Sequence, residues 1–148
     1  METKLITSDK FESARKLIKE NSGKKIIFTS SDDELNRKVM EKEKIDILLI
    51  SLADRKDFMK QRNSGFNQVL AKIAKKQNTT IGINLDEIIE SDKYFKAKIL
   101  ARIRQNIKLC NKDKLKMKFI ADKHRREKHD LKALGLVLGM PTWMTREL

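Results

Sequence analysis

Short apolar segments alternate with amphipathic ones along this chain, in the rhythm of strands feeding helices. Leu5-Ile6 is the first apolar segment. Ser8 then offers an N-cap to a helix with Phe11, Ala14, Leu17 and Ile18 turned inward and Gly23 at its end. Lys25 to Thr29 (KIIFT) reads as a strand. Ser31 and Glu34 have capping-box spacing, the Ser31 hydroxyl taking the Glu34 backbone N–H, ahead of a helix through Leu35 and Val39. Ile45 to Ile50 (IDILLI) is apolar nearly throughout, the mark of a central strand in a parallel sheet with both faces covered. A polar loop follows from Ser51 to Ser64.

The next stretch is the most compact. Phe66, Val69, Leu70 and Ile73 fall at the i, i+3, i+4, i+7 spacing of a buried helical face. Asn78 suits a left-handed stop, after which Ile81, Ile83 and Leu85 alternate with Thr80, Gly82 and Asn84 as a strand does. A helix is expected from about Asp92 to Lys112, with Ile99, Leu100, Ile103, Ile107 and Cys110 on one face. Lys98, Arg102, Arg104, Lys108 and Lys112 are expected on the other. Leu115, Met117 and Phe119 alternate with Lys114, Lys116 and Lys118, as in an edge or rim strand. The loop Asp122 to Lys128 (DKHRREK) leads to a helix from about Asp130 to Leu138, a Gly139 stop, and a last turn at Pro141-Thr142. The whole reads as an α/β fold of alternating βα units, one domain spanning 1–148.

Charge adds direction to this plan. The chain of 148 residues carries a net charge of +13. From Lys96 to Lys128 there are thirteen Lys and Arg against three acids, whereas residues 1–95 hold nineteen against sixteen. A cationic field confined to one part of the chain implies a basic face and a polyanionic partner. Solvent-facing helices ordinarily mix signs at i, i+4 spacing. The 92–112 helix leaves its lysines and arginines mutually repelling, which phosphates would relieve. In open α/β sheets the loops after the carboxyl ends of strands carry ligands. DKHRREK is one such loop and LADRKDFMKQRNSG is another, so two basic loops are expected on one rim.

Other chemistries find little support. His124 and His129 lie in or beside a basic loop that repels cations, and capping accounts for Asp32, Asp33 and Glu34 better than metal binding does. The five glycines form no phosphate loop, and no nucleophile stands with a histidine and an acid in a recognisable pattern. Cys110, the single cysteine, falls on an apolar stripe and reads as a small buried hydrophobe in a reducing, cytoplasmic setting. No apolar run approaches the length of a membrane span, and no secretory leader is expected. Phe66, Phe95 and Phe119 sit at core-type positions, leaving Tyr94 and Trp143, and Trp143 is expected to pack against the last helix. With no stacking platform in view, binding is expected to read RNA backbone and shape through Lys and Arg.

Two runs, 64–89 and 129–143, resemble the archaeal ribonuclease P protein component 3 family, which includes the eukaryotic thirty-kilodalton subunit. The matching residues are Arg62, Gly65, Asn67, Val69, Leu70, Ala71 and Gly82, then Asp130, Leu131, Leu134, Gly135, Gly139 and Met140. The resemblance is clearest from Arg55 to Met140. It implies a fold related to the (β/α) TIM barrels. With about five candidate strands, a partial barrel is expected, the family's N-terminal βα units being absent from this short version. It also implies a non-catalytic, RNA-binding subunit of the ribonucleoprotein that removes the 5′ leader from precursor tRNA. The RNA component would carry the Mg²⁺-dependent hydrolysis, with no cofactor in this chain. The partners implied are ribonuclease P RNA, precursor tRNA and other subunits, especially the small RNA-recognition-like one. The candidate RNA-binding residues are Arg55, Lys56 and Arg62 in the first loop, Arg102, Arg104 and Lys108 on the helix, and Lys123, Arg125 and Arg126 in the second loop. The alternatives are a protein-binding scaffold of another RNA-processing complex and a metal-dependent phosphoesterase.

Overall fold

The structure, a computed structural model, describes residues 2–148. Five strands run in parallel in the order of the sequence: β1 (Thr3–Thr7), β2 (Lys25–Thr29), β3 (Ile47–Ile50), β4 (Thr80–Asn84) and β5 (Met117–Ile120). Between and after them come α1 (Phe11–Glu20), α2 (Asp33–Lys42), α3 (Gln68–Gln77), α4 (Leu85–Glu90), α5 (Lys93–Lys112), α6 (Lys128–Leu138) and α7 (Thr142–Thr145). β3 is central and buried along its whole length, as its unbroken apolar run requires. β1 and β5 are the two edges, so the sheet is open.

Register decides which side chains face the helices. Ile6 pairs with Phe28, Phe28 with Leu48, Leu48 with Ile81 and Ile81 with Met117, and all five are buried in the main core with the helices. The alternate residues Leu5, Ile27, Leu49 and Gly82 lie on the other face, where Ile27, Ile47 and Leu49 form a small second cluster with Ile120 packed against it. A methyl on Gly82 would meet Ile47 at 2.9 Å, Leu49 at 3.2 Å and Ile120 at 3.3 Å, so glycine lets the strands close up there. The sheet curls around this face. Lys25 of β2 reaches Lys118 of β5 across two intervening strands, and their repulsion, together with burial, holds Lys118 below the usual lysine range. A sequential parallel sheet curled in this way is part of a barrel.

Local physics departs from the sequence expectations at several points. α1 begins at Phe11 with Lys10 as N-cap, and Ser8 instead closes a turn by bonding Lys10. The cap of α2 is Asp32, whose Oδ1 accepts from the Glu34 and Leu35 amides at 3.0 and 3.3 Å, not Ser31. On α3 the buried residues are Leu70, Ala71 and Ala74, which turns Val69 out to 49% exposure. Asn78 does adopt the left-handed conformation, with φ 56°. Leu85 opens a helix instead of ending a strand, and Phe95 is half exposed. Cys110 is buried, and burial pushes its thiol up to about 12. Trp143 bonds the C-terminal turn of α5, its indole N–H donating to Asn111 at 2.9 Å with Lys114 over the ring.

Candidate nucleic-acid interface

Both basic loops leave the carboxyl ends of their strands, one after β3 and one after β5, and α4 after β4 stands between them. α4 is short, and two adjacent carboxylates in its first turn fasten one loop each. Glu87 accepts from the Leu52 amide at 2.6 Å, from the Ala53 amide, and from the Ser51 hydroxyl at 3.3 Å. Asp86 accepts from the amides of Asp122 (2.8 Å), Lys123 (3.1 Å) and His124 (2.8 Å). The Asp122 amide is the main reason that the Asp86 carboxyl lies below the usual carboxylate range; Lys123 and His124 add to it, and burial opposes it. The His124 ring bonds Glu90 at 3.1 Å. Carboxylates receiving two or three backbone amides make strong, directional anchors. The lysines and arginines of the two loops, Arg55 apart, are exposed to solvent.

A second scaffold stiffens the loop after β3. Arg55 folds back so that its Nε donates to the Ser51 carbonyl at 2.6 Å, and its fork meets Asp33 of α2 at 2.8 and 3.0 Å. Arg102 comes from α5 beneath the loop and donates to the carbonyls of Leu52 (2.9 Å) and Arg55 (2.8 Å) and to Asp57 (3.1 Å). The Asn63 amide and Arg102 in turn hold the Asp57 carboxyl below its ordinary value. Gln105 and Asn106 of α5 bond Ser64, and Gly65 packs its backbone against the Arg55 guanidinium.

The nine candidate residues therefore divide. Lys56, Arg62, Arg104, Lys108, Lys123, Arg125 and Arg126 are exposed. Arg102 was expected on the solvent face of α5 and is instead 2% exposed, because the loop carbonyls draw its fork inward. Arg55 is mostly covered, with both sides of its guanidinium engaged. Lys56 and Arg62 share the first loop, and Lys123, Arg125 and Arg126 the second, joined through α4. Arg104 and Lys108 lie on the solvent face of α5 without a hydrogen bond or ion pair to either loop among the described residues. Sequence reasoning missed Asp33, Asp86 and Glu87. The signal for α4 was present in Asn84-Leu85-Asp86-Glu87, an Asn cap with a glutamate three residues on, and Asn84 Oδ1 does accept the Glu87 amide. Among the described residues no group of three or more His, Cys, Asp or Glu is placed to hold a metal ion. No helix among them is long and apolar enough to cross a membrane.

No family model matches the chain. Curated archaeal proteins do. It is 28% identical over 87 residues to ribonuclease P protein component 3 of Methanococcus vannielii, covering 59% of this chain and 35% of that protein. To the protein of the same name in Methanosarcina acetivorans it is 32% identical over 92 residues, 62% of this chain and 36% of that one. The resemblance to ribonuclease P protein component 3 holds. In Methanocaldococcus jannaschii the component 3 protein is 33% identical over 79 residues, 53% of this chain and 32% of that protein. The match thus spans about a third of the length of these component 3 relatives. The fold agrees with that resemblance: a chain in the cryo-EM structure of archaeal ribonuclease P with mature tRNA superimposes with a TM-score of 0.78 at 23% identity, covering 97% of this chain and 62% of that one.

Proposed function

We propose that the chain acts as a component 3-type protein subunit of ribonuclease P, binding the catalytic RNA and supporting 5′-leader removal from precursor tRNA. The observation that carries this is α4, which holds two basic loops side by side through Asp86 and Glu87. Lys56, Arg62, Lys123, Arg125 and Arg126 become one electropositive rim, with Arg104 and Lys108 extending the field along α5. Phosphates of RNA segments that repel one another would be neutralised on this rim. Hydrolysis belongs in this reading to the RNA component and its Mg²⁺. The partners are ribonuclease P RNA, precursor tRNA and other subunits, the small RNA-recognition-like protein first among them, and the compartment is the cytoplasm.

The test is reconstitution of precursor-tRNA cleavage from archaeal ribonuclease P RNA and its proteins, with this chain included or omitted. Cleavage at moderate Mg²⁺ that depends on both RNA and chain is the expected result; indifference to the chain would sink the proposal. Cleavage by the chain alone, abolished by a chelator, would move it to the phosphoesterase class. In parallel, replacing Arg125 and Arg126 by alanine should flatten the slope of log affinity against log salt by about two, because each released phosphate contact contributes nearly one unit.

A further inference from the structure

A groove of about 760 Å³ opens beside the first basic loop, between residues 58–67, α2 and α3, with Gln105 and Leu109 of α5 behind it. That volume is in the range of sites that enclose small ligands. The groove is not explained by the loop scaffold, and its walls carry two kinds of side chain. Phe58 is 63% exposed and Val69 49% exposed, two apolar side chains that line the groove. Arg37, Lys60 and Arg62 line the same groove, and all three are exposed. Asp33 is neutralised by the Arg55 fork, which leaves these three cations facing Glu34. The amide oxygens of Asn63 and Asn67 are taken up internally by Gly65 and Leu70, so their NH₂ groups are available as donors.

An aromatic face, a cluster of cations and amide donors within one groove match three features of a nucleotide: the face of its base, its phosphate and the polar edge of its base. We propose that this groove takes an unpaired nucleotide of the bound RNA, its base lying on Phe58 and its phosphate among Arg37, Lys60 and Arg62. The inference rests on the RNA-binding reading above and names what the first loop would recognise. Bases inside an A-form duplex are stacked and cannot present a face to Phe58, whereas a loop or bulge nucleotide can. Phe58, near the middle of a polar loop, thus supplies a stacking surface that the sequence alone does not single out. An acidic peptide would satisfy the cations but leaves the aromatic face without a planar partner.

The experiment measures anisotropy of the full chain with a labelled unpaired oligoribonucleotide and with the same sequence paired as a duplex. Phe58→Ala is expected to weaken binding of the unpaired RNA about tenfold, the scale of one lost base–aromatic stack. The salt slope and the duplex affinity should stay as they were, and Phe58→Tyr should restore binding. Equal loss on both RNAs, or no loss on either, would overturn the inference while leaving the RNA-binding reading intact. Tighter, Phe58-dependent binding of a polyglutamate peptide would overturn it in favour of a protein partner. Failure of the parent chain to bind either RNA at low salt would overturn both the inference and the reading on which it rests.

Discussion

Arg102 and Arg104 stand two positions apart in α5, yet one guanidinium is sealed beneath a loop and the other is in water. Composition cannot separate them, because arginine serves both as a phosphate ligand and as a fork for carbonyls. What separates them is the Leu52 and Arg55 carbonyls, whose position depends on a loop remote in sequence. Arg102→Ala should therefore lower stability by about 3 kcal/mol, because it leaves those acceptors unpaired. Arg104→Ala should leave stability within about 0.5 kcal/mol and weaken RNA binding instead. Urea unfolding and an RNA titration on the two variants check both halves. Gly65 makes a related case. With φ at 70°, and a β-carbon placed 2.4 Å from Arg55 Nη2 and 2.8 Å from Ile50 Cγ2, it leaves no room for a side chain. Gly65→Ala is expected to cost about 2 kcal/mol in the same unfolding assay, from backbone strain and displacement of the Arg55 fork.

At the scale of elements, α4 does the most with the least sequence. From the sequence, Leu85 reads as the tail of a strand because it continues the alternation of Ile81 and Ile83, and nothing in that pattern predicts a helix there. A pattern of period two cannot show where the strand stops. The Asn84 cap shows it, but a cap is one residue against a run of five. The longer elements were legible because their apolar faces repeat over several turns or whole strands. The site itself was half legible: both loops and their charge came from the sequence, but the carboxylates that hold them did not. Since the Asp86 carboxyl is held below its ordinary value, its ionised form belongs to the folded state. Its contribution is present above the unfolded carboxyl value of about 3.9 and is lost as the pH falls through the lowered native one. Asp86→Asn should melt earlier than the parent at neutral pH, with the gap closing below about pH 4, which thermal unfolding across pH 3 to 7 would read.

The whole molecule is a curled sheet with two free margins, and this too follows from residues. IDILLI marks β3 as central, and the lysine-spaced β5 reads as a rim, which the strand order β1-β2-β3-β4-β5 bears out. Curvature was not legible, since it depends on Gly82 letting Ile47, Leu49 and Ile120 converge. Lys25 and Lys118 repel each other across the sheet, and a second copy docked against its margin would bring further lysines to them. The sheet of the isolated chain should therefore stay open in solution. In a parallel edge strand only alternate amides reach a neighbour. Native-state hydrogen exchange should show slow amides through Leu48 and Leu49 and through Ile81 to Ile83, with every second amide of β1 and β5 exchanging near the rate of free peptide. Edge protection that grows with protein concentration would mean that a second copy covers the margin despite its lysines. Protection unchanged by concentration but gained on adding ribonuclease P RNA or another subunit would mark those edges as part of the assembled particle.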